Sequence, residues 1–365
     1  QELLVEIKND IPLESKHYYN RLTEAEKIHY DGILQSYLDG HIEGEYTFQT
    51  PSAPEAELAQ KLTELSNAFQ AFSYEHKEFF FIGTHSTTSY YSLPPDHNTI
   101  EFKITIMLAA DYYTSFDPND LDSRVLNTAL VKQHFVEILN KRDEIIDQAL
   151  LLETDDQKLK YIHDYLVLSK EYEKTNELSH TPAGALVDGQ TPVCEAYSEA
   201  FQLLAHRLGI PVLYATGEAF SGGSSELHAW NHVKLGTKWY LVDVTWDDPV
   251  GMPADYVSYD YFLIPKLSES ARVYDEYTII PTPFTTTDYS DKEVHQVTIE
   301  VDGQTLTKDV LEGDDVDLSD LEKEGYDMQV VGNYKNIQQN ETLSITYTLK
   351  VLTIRFISDS SVSFC

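Results

Sequence analysis

Cysteine is nearly absent from this chain: Cys194 and Cys365 are the only two in 365 residues. That excludes a disulfide framework, and no Cys-x-x-Cys pair is present to seed a zinc site. Positive charge is scarce too, with 26 Lys+Arg against 61 Asp+Glu and a formal net charge of -35. This balance argues against nucleic-acid phosphates and anionic membrane surfaces as partners, and reads as a solvated acidic surface. Long apolar runs are missing; none approaches the roughly 18 residues of a membrane span. Position 1 is Gln rather than Met, as expected of a processed N-terminus or of a segment boundary.

What remains is a composition that can build cores. Apolar residues make up 42% of the chain, with 25 tyrosines among them, and the length suits two or three domains. Residues 1–115 read as an α/β domain. Thr23 and Glu26 form a capping box before a helix, a second helix runs near 55–71, and strands are expected at 79–82, 89–93 and 100–108. Residues 116–290 carry helical patterns at 119–152 and 156–170, a helix at 191–209, and strands near 211–217, 228–235 and 238–245. A polar linker at 286–296 leads into short alternating runs over 297–365, a β-rich module. Asp315-Val-Asp317 begins like a calcium loop. However, Asp320 stands where a sharp turn needs Gly and Tyr326 where Glu should bind, so no such loop is expected.

One internal cysteine with histidines downstream is the pattern in which a nucleophile is sought. Thr191 is a suitable N-cap and Pro192 a suitable first helical residue. Tyr197, Phe201, Leu204 and Leu208 then form an apolar stripe ended by Gly209. Cys194 falls in the first turn, where unpaired amides and the positive end of the helix dipole favour a thiolate and can stabilise an oxyanion. A small buried packing residue is the competing reading. His206, twelve residues along the same helix, is about 18 Å away. His163 and Asp164 are adjacent on a helix and form no ready-made dyad.

The segment from His228 to Asp243 reads as a hairpin turning at Gly236-Thr237, which suits a type II′ turn. With Leu235 opposite Lys238, Asp243 faces Trp230 and is a diagonal neighbour of His228, within side-chain reach. By sheet geometry alone three pairs stay open: His228–Asp243, His232–Asp243 and His228–Asp247.

The run VCEAYSEAFQLLAHRLGIPV…HAWNHVKLGTKWYLVDVTWDDP resembles the transglutaminase-like superfamily, and IHDYLV and GALVDG extend the likeness over about 157–250. The resemblance implies an α+β fold: a papain-like transglutaminase core in which a helix bearing the cysteine packs on an antiparallel sheet. It places the nucleophile on Cys194, the base on His228 and the orienting acid on Asp243. His232 and Asp247 are then supporting or structural, and Trp230 and Asn231 are expected in supporting roles. His180 stands where an upstream aromatic helping to form the oxyanion hole is expected. Ala196 and Pro192 replace glycines usual in the pattern. The implied chemistry is attack on a glutamine carboxamide, a thioester, and its capture by lysine or water, with glutamine- and lysine-bearing proteins as partners. No cofactor and no metal are implied. The alternatives are a cysteine protease or amidase on the same scaffold, and a cell-surface binding protein. The last is suggested by VDGQTL…EGDDV…EGY, which weakly resembles bacterial surface-repeat modules. Localisation outside a bacterial cell or on its surface is the matching expectation. Cys365 is expected to be exposed.

Overall fold

The computed structural model describes residues 11–350 other than 118–119, 222, 254, 269 and 290–292. Cys365 and the expectation attached to it lie outside the described residues. The chain divides into two compact units, residues 1–288 and 289–365.

The first unit opens with α1 (His17–Arg21) and α2 (Glu24–Leu38). The Thr23–Glu26 capping box starts α2: the Thr23 amide donates to Glu26 Oε2 at 2.8 Å, and the Glu26 amide to Thr23 Oγ1 at 3.3 Å. Next come β1 (Tyr46–Pro51), α3 (Glu55–Glu75), β2 (Ile82–Leu93) and β3 (Thr99–Leu108), with sheet order β1-β3-β2. Phe79–Phe81, read from sequence as strand, form a buried turn that leads into β2.

A second difference lies at 120–127, where the helical reading fails. Tyr113–Asp117 (β4) and Asp120–Leu126 (β5) pair as a hairpin. α4 (Thr128–Ala149) begins only where Asn127 Oδ1 accepts the Leu130 amide at 3.2 Å. An N-cap of this kind satisfies an otherwise orphan donor, so it sets the helix start.

The chain continues through α5 (Asp155–Ser169), α6 (Pro182–Leu186) and α7 (Cys194–Arg207). Five strands follow: β6 (Val212–Ser221), β7 (Ser224–Leu235), β8 (Lys238–Val242), β9 (Phe262–Ile264) and β10 (Arg272–Tyr274). They form one antiparallel sheet in the order β10-β6-β7-β8-β9. Leu235 opposes Lys238 and Asn231 opposes Val242, the expected register, and Gly236 takes φ +56° in the tight turn.

α7 buries Tyr197, Ala200, Phe201 and Leu204 completely. Removing each large side chain from water contributes about 1.5–3 kcal/mol. The Asn231 amide on β7 donates to Ser198 O at 3.1 Å and ties the helix to the sheet. Earlier elements brace the same layer: Gln202 Nε2 donates to Tyr74 O at 3.1 Å, Lys77 meets Glu199 at 2.8 Å, and the Tyr18 hydroxyl donates to Tyr214 O at 2.6 Å. A helix bearing Cys194 thus lies on an antiparallel sheet in an α+β unit. No helix among the described residues is long and apolar enough to cross a membrane.

The second unit is a sheet of β11 (Val294–Val301), β12 (Gln304–Leu311), β13 (Tyr326–Val331) and β14 (Glu341–Leu349), in the order β12-β11-β14-β13. Val297, Ile299, Ile337 and Leu343 form its fully buried centre. In its acidic segment, Asp315 pairs with Lys335 and Asp320 with Lys308.

Candidate active site

α7 starts at Cys194, two residues later than the expected Thr191 cap allows. The Glu173 amide donates to Pro192 O at 3.1 Å and the Val193 amide to Ser179 O at 2.9 Å. These contacts hold residues 192–193 extended, and Val193 occupies the cap position without a side-chain bond. Thr191 instead meets the Thr175 hydroxyl at 3.0 Å. The sulfur therefore sits on the first helical residue, among amides with no intrahelical acceptor. Cys194 is unbonded to another cysteine and only partly buried.

His228 lies on β7 with its side chain nearly inaccessible. Its Nε2 donates to Asp243 Oδ2 at 2.7 Å, and Cys194 is near enough to favour the charged form of the ring. With Nε2 on the carboxylate, Nδ1 is left for the sulfur. Burial opposes charge on the ring, but the Asp243 charge and hydrogen bond, then Cys194, outweigh it and raise its pKa to about 10. At neutral pH the ring is an imidazolium. Trp230 stacks at 6.0 Å between centroids and Trp246 at 5.4 Å, so indoles wall the imidazole from water.

Asp243 lies one residue beyond β8 and is completely buried. Burial favours its neutral form. His228, Arg272 and the hydrogen bonds outweigh that and hold the carboxyl below its usual range. Oδ1 accepts the Trp246 amide at 3.1 Å, and Oδ2 accepts Arg272 Nη2 at 2.5 Å as well as His228. Arg272, on β10, is fully buried, with its guanidinium 3.5 Å above the Trp246 ring.

Arg272 is the functional residue that sequence reasoning misses. It sits 29 positions beyond Asp243 in a three-residue strand, and its pairing with Ala219 alone brings it over the site. Removing one partner of a buried ion pair costs about 3–5 kcal/mol when the other charge is left uncompensated, but without Arg272 the Asp243 carboxylate still has the His228 imidazolium. Arg272→Met is therefore expected to lower urea-unfolding stability by less than that, about 1–3 kcal/mol; a loss of about 5 kcal/mol would show that His228 does not compensate Asp243.

The other candidate pairs separate cleanly. His232 Nε2 takes the Trp230 indole N–H at 3.3 Å and meets the Tyr274 hydroxyl at 3.2 Å. Burial pushes its pKa down to about 3, so it is a neutral packing residue. Asp247 turns to His163 Nε2 at 3.2 Å, not to His228. His163 and Asp164, read as non-facing, do interact, through Nδ1 and Oδ1 at 3.1 Å. An imidazole can swing over its own backbone to a neighbour, which helical spacing of Cβ positions ignores. His206 is buried with Nε2 on Val212 O at 3.0 Å, a packing role.

Of the supporting candidates, Trp230 walls the imidazole and Asn231 ties β7 to α7. His180 is turned to Glu195, which its Nδ1 meets. Sequence does not single out Tyr172. Burial, then the charges of Cys194, Glu226 and Glu195, push its hydroxyl up to about 12. Tyr172 therefore stays protonated, within reach of the charges of Cys194, Glu226 and Glu195. Glu226 is exposed.

The sequence profile of the Transglutaminase-like superfamily matches residues 146–244, from the end of α4 to Val244. Comparison with curated proteins gives no match. Among solved structures the chain is similar to a candidate cysteine protease from Cytophaga hutchinsonii, with 15% identity and a TM-score of 0.26, over 53% of this chain and 69% of that one. It is also similar to a TGase, with 15% identity and a TM-score of 0.28, over 57% of this chain and 52% of that one. It thus spans about half the length of the latter.

Proposed function

We propose that this protein, whose residues 146–244 match the Transglutaminase-like superfamily profile, transfers the acyl group of protein glutamine side chains through a thioester on Cys194. The observation that carries the reading is one imidazole held by a buried carboxylate, with a cysteine at a helix start near enough to act on its charge. A cysteine sulfur beside a protonated imidazole is a nucleophile with its proton donor in place.

Cys194 Sγ attacks the carboxamide carbon. First-turn amides of α7 receive the developing oxyanion. The C–N bond then breaks, and His228 gives its proton to the departing ammonia. The resulting neutral imidazole takes a proton from an incoming amine as nitrogen attacks the thioester, and the thiolate and imidazolium are restored. A lysine amine yields an isopeptide, and water yields glutamate. Asp243 holds the ring and its charge through both halves. No metal or cofactor enters these steps.

Glu195, next to Cys194 in the chain, and Glu226, whose charge acts on Tyr172 together with that of Cys194, support a cationic second substrate. A lysine side chain arrives as an ammonium, which a carboxylate at the rim concentrates, and it gives one proton to solvent before its nitrogen attacks. Exposed pairs contribute about 0.2–1 kcal/mol, so Glu226→Gln is expected to lower kcat/KM for a cationic amine roughly 1.4- to fivefold. The effect should fade in high salt, with hydroxylamine, a neutral nucleophile, unaffected. Equal losses for both nucleophiles would remove Glu226 from amine selection.

The test of the reading is incubation with a glutamine-rich protein and a labelled primary amine. Label incorporation, or glutamate formation when amine is withheld, supports it. Cleaved peptide bonds without incorporation would favour proteolysis on the same residues, and an inert protein would leave a binding role.

A further inference from the structure

The turn after β8 carries three carboxylates in six residues, Asp243, Asp247 and Asp248, and each is held by a different element. Asp243 meets His228 on β7 and Arg272 on β10. Asp247, fully buried, meets His163 on α5, which is also fully buried. Asp248 Oδ2 accepts the hydroxyl of Tyr197 on α7 at 2.6 Å. Tyr197 is itself fully buried and stands three residues after Cys194, on the turn that carries the sulfur.

Backbone bonds make the turn one piece. The Asp247 amide donates to Asp243 O at 3.2 Å, and the Asp248 amide to Thr245 O at 3.2 Å. Asp243 N donates to Tyr261 O at 3.0 Å, and Asp247 Oδ1 accepts the Tyr261 amide at 3.0 Å. Outside, Asp164 and Lys160 of α5 both bond the Tyr259 hydroxyl. The segment that presents Asp243 is thus fastened to the helix that presents Cys194 and to a second helix behind it.

We propose that the turn Asp243–Asp248 is a clamp that fixes the distance between Cys194 and His228, with Tyr197 and His163 as positioning residues. This rests on the reading of Cys194, His228 and Asp243 as the reacting set. Neither arm touches the reacting atoms. Tyr197–Asp248 ties the first turn of α7 to the turn that holds the imidazole's partner. His163–Asp247 stops that turn from rolling away from β7. Displacement of about 1 Å in a reacting group costs up to about a hundredfold in rate, so modest loosening is visible.

Tyr197→Phe keeps ring and packing and removes one hydroxyl. In the full chain it is expected to slow iodoacetamide alkylation of Cys194, mapped by mass spectrometry, roughly tenfold. It should lower kcat for amine incorporation equally, with KM for the glutamine donor unchanged. Asp248→Ala should match it, whereas Asp248→Asn, which retains an acceptor, should stay near wild type. In an Asp243→Ala background Tyr197→Phe should add less than about twofold, because coupled residues are non-additive. His163→Gln should act in the same direction, and its unfolding midpoint shows whether the fold survives. Unchanged alkylation and kcat in Tyr197→Phe, equal loss in both Asp248 variants, or full additivity with Asp243→Ala would overturn the clamp. Absence of acyl transfer in the wild-type chain would sink the proposed function, while the alkylation series would still decide the clamp.

Discussion

Cys194→Ala is expected to abolish amine incorporation into a glutamine donor, a fall of at least about 10⁴-fold to the uncatalysed background. The reason is chemical: with no sulfur there is no thioester, and first-turn amides alone cannot replace a covalent step. Cys194→Ser should fall nearly as far, since a hydroxyl beside an imidazolium is not deprotonated as a thiol is. The side chain is small and partly exposed, so the substitution leaves no large cavity and the unfolding midpoint should barely move. Incubation with labelled amine, read by gel and by mass spectrometry, checks both. Retention of more than about a tenth of wild-type incorporation would place the reacting group elsewhere.

Asp243→Ala carries the second large effect, a fall in kcat of about 10⁴-fold, the scale seen when the acid of such a set is removed. Two losses combine. The imidazole loses the acceptor that fixes its orientation, and Arg272, 2.5 Å from the missing oxygen, is left facing the ring. The pH dependence separates the two. In the wild type, the Asp243 charge is the main influence raising the His228 pKa to about 10. The imidazolium, and the rate that needs it, should persist well above neutrality and fall as pH rises through that value. Without the carboxylate the His228 pKa drops, so the alkaline limb moves to lower pH. Asp243→Asn keeps an oxygen for Nε2 and should be the milder variant in rate, yet its alkaline limb should move the same way. Adding Arg272→Met to Asp243→Asn should return part of that limb. An alkaline limb that stays in place in Asp243→Asn would mean that Asp243 does not set the charge on His228.

Much of the site is legible because short-range rules govern it. Gly236-Thr237 dictates the hairpin turn and the turn dictates the register, which leaves His228–Asp243 one of three open pairs; the family resemblance singles it out. The apolar stripe from Tyr197 to Leu204 likewise announces α7. Where tertiary contacts compete, local rules fall short. Thr191 and Pro192 are good helix starters, but Glu173 and Ser179 hold residues 192–193 extended, and α7 waits for Cys194. Residues 120–126 form a strand because β4 offers a partner. Arg272, Tyr172 and the three arms of the Asp243–Asp248 turn join elements far apart in sequence, and no periodicity marks them. His163 shows a different limit: spacing argues about Cβ positions, and the long reach of its imidazole to Asp164 and Asp247 escapes it.

Trapping the acyl-enzyme tests the central claim most directly. The intact protein is mixed with a glutamine peptide, quenched in acid within the first turnover, and weighed by mass spectrometry before and after digestion. The site described here predicts a mass increase equal to the peptide less ammonia, carried by the peptide containing Cys194 and released by hydroxylamine. No adduct at Cys194, or an adduct on another residue, would contradict it.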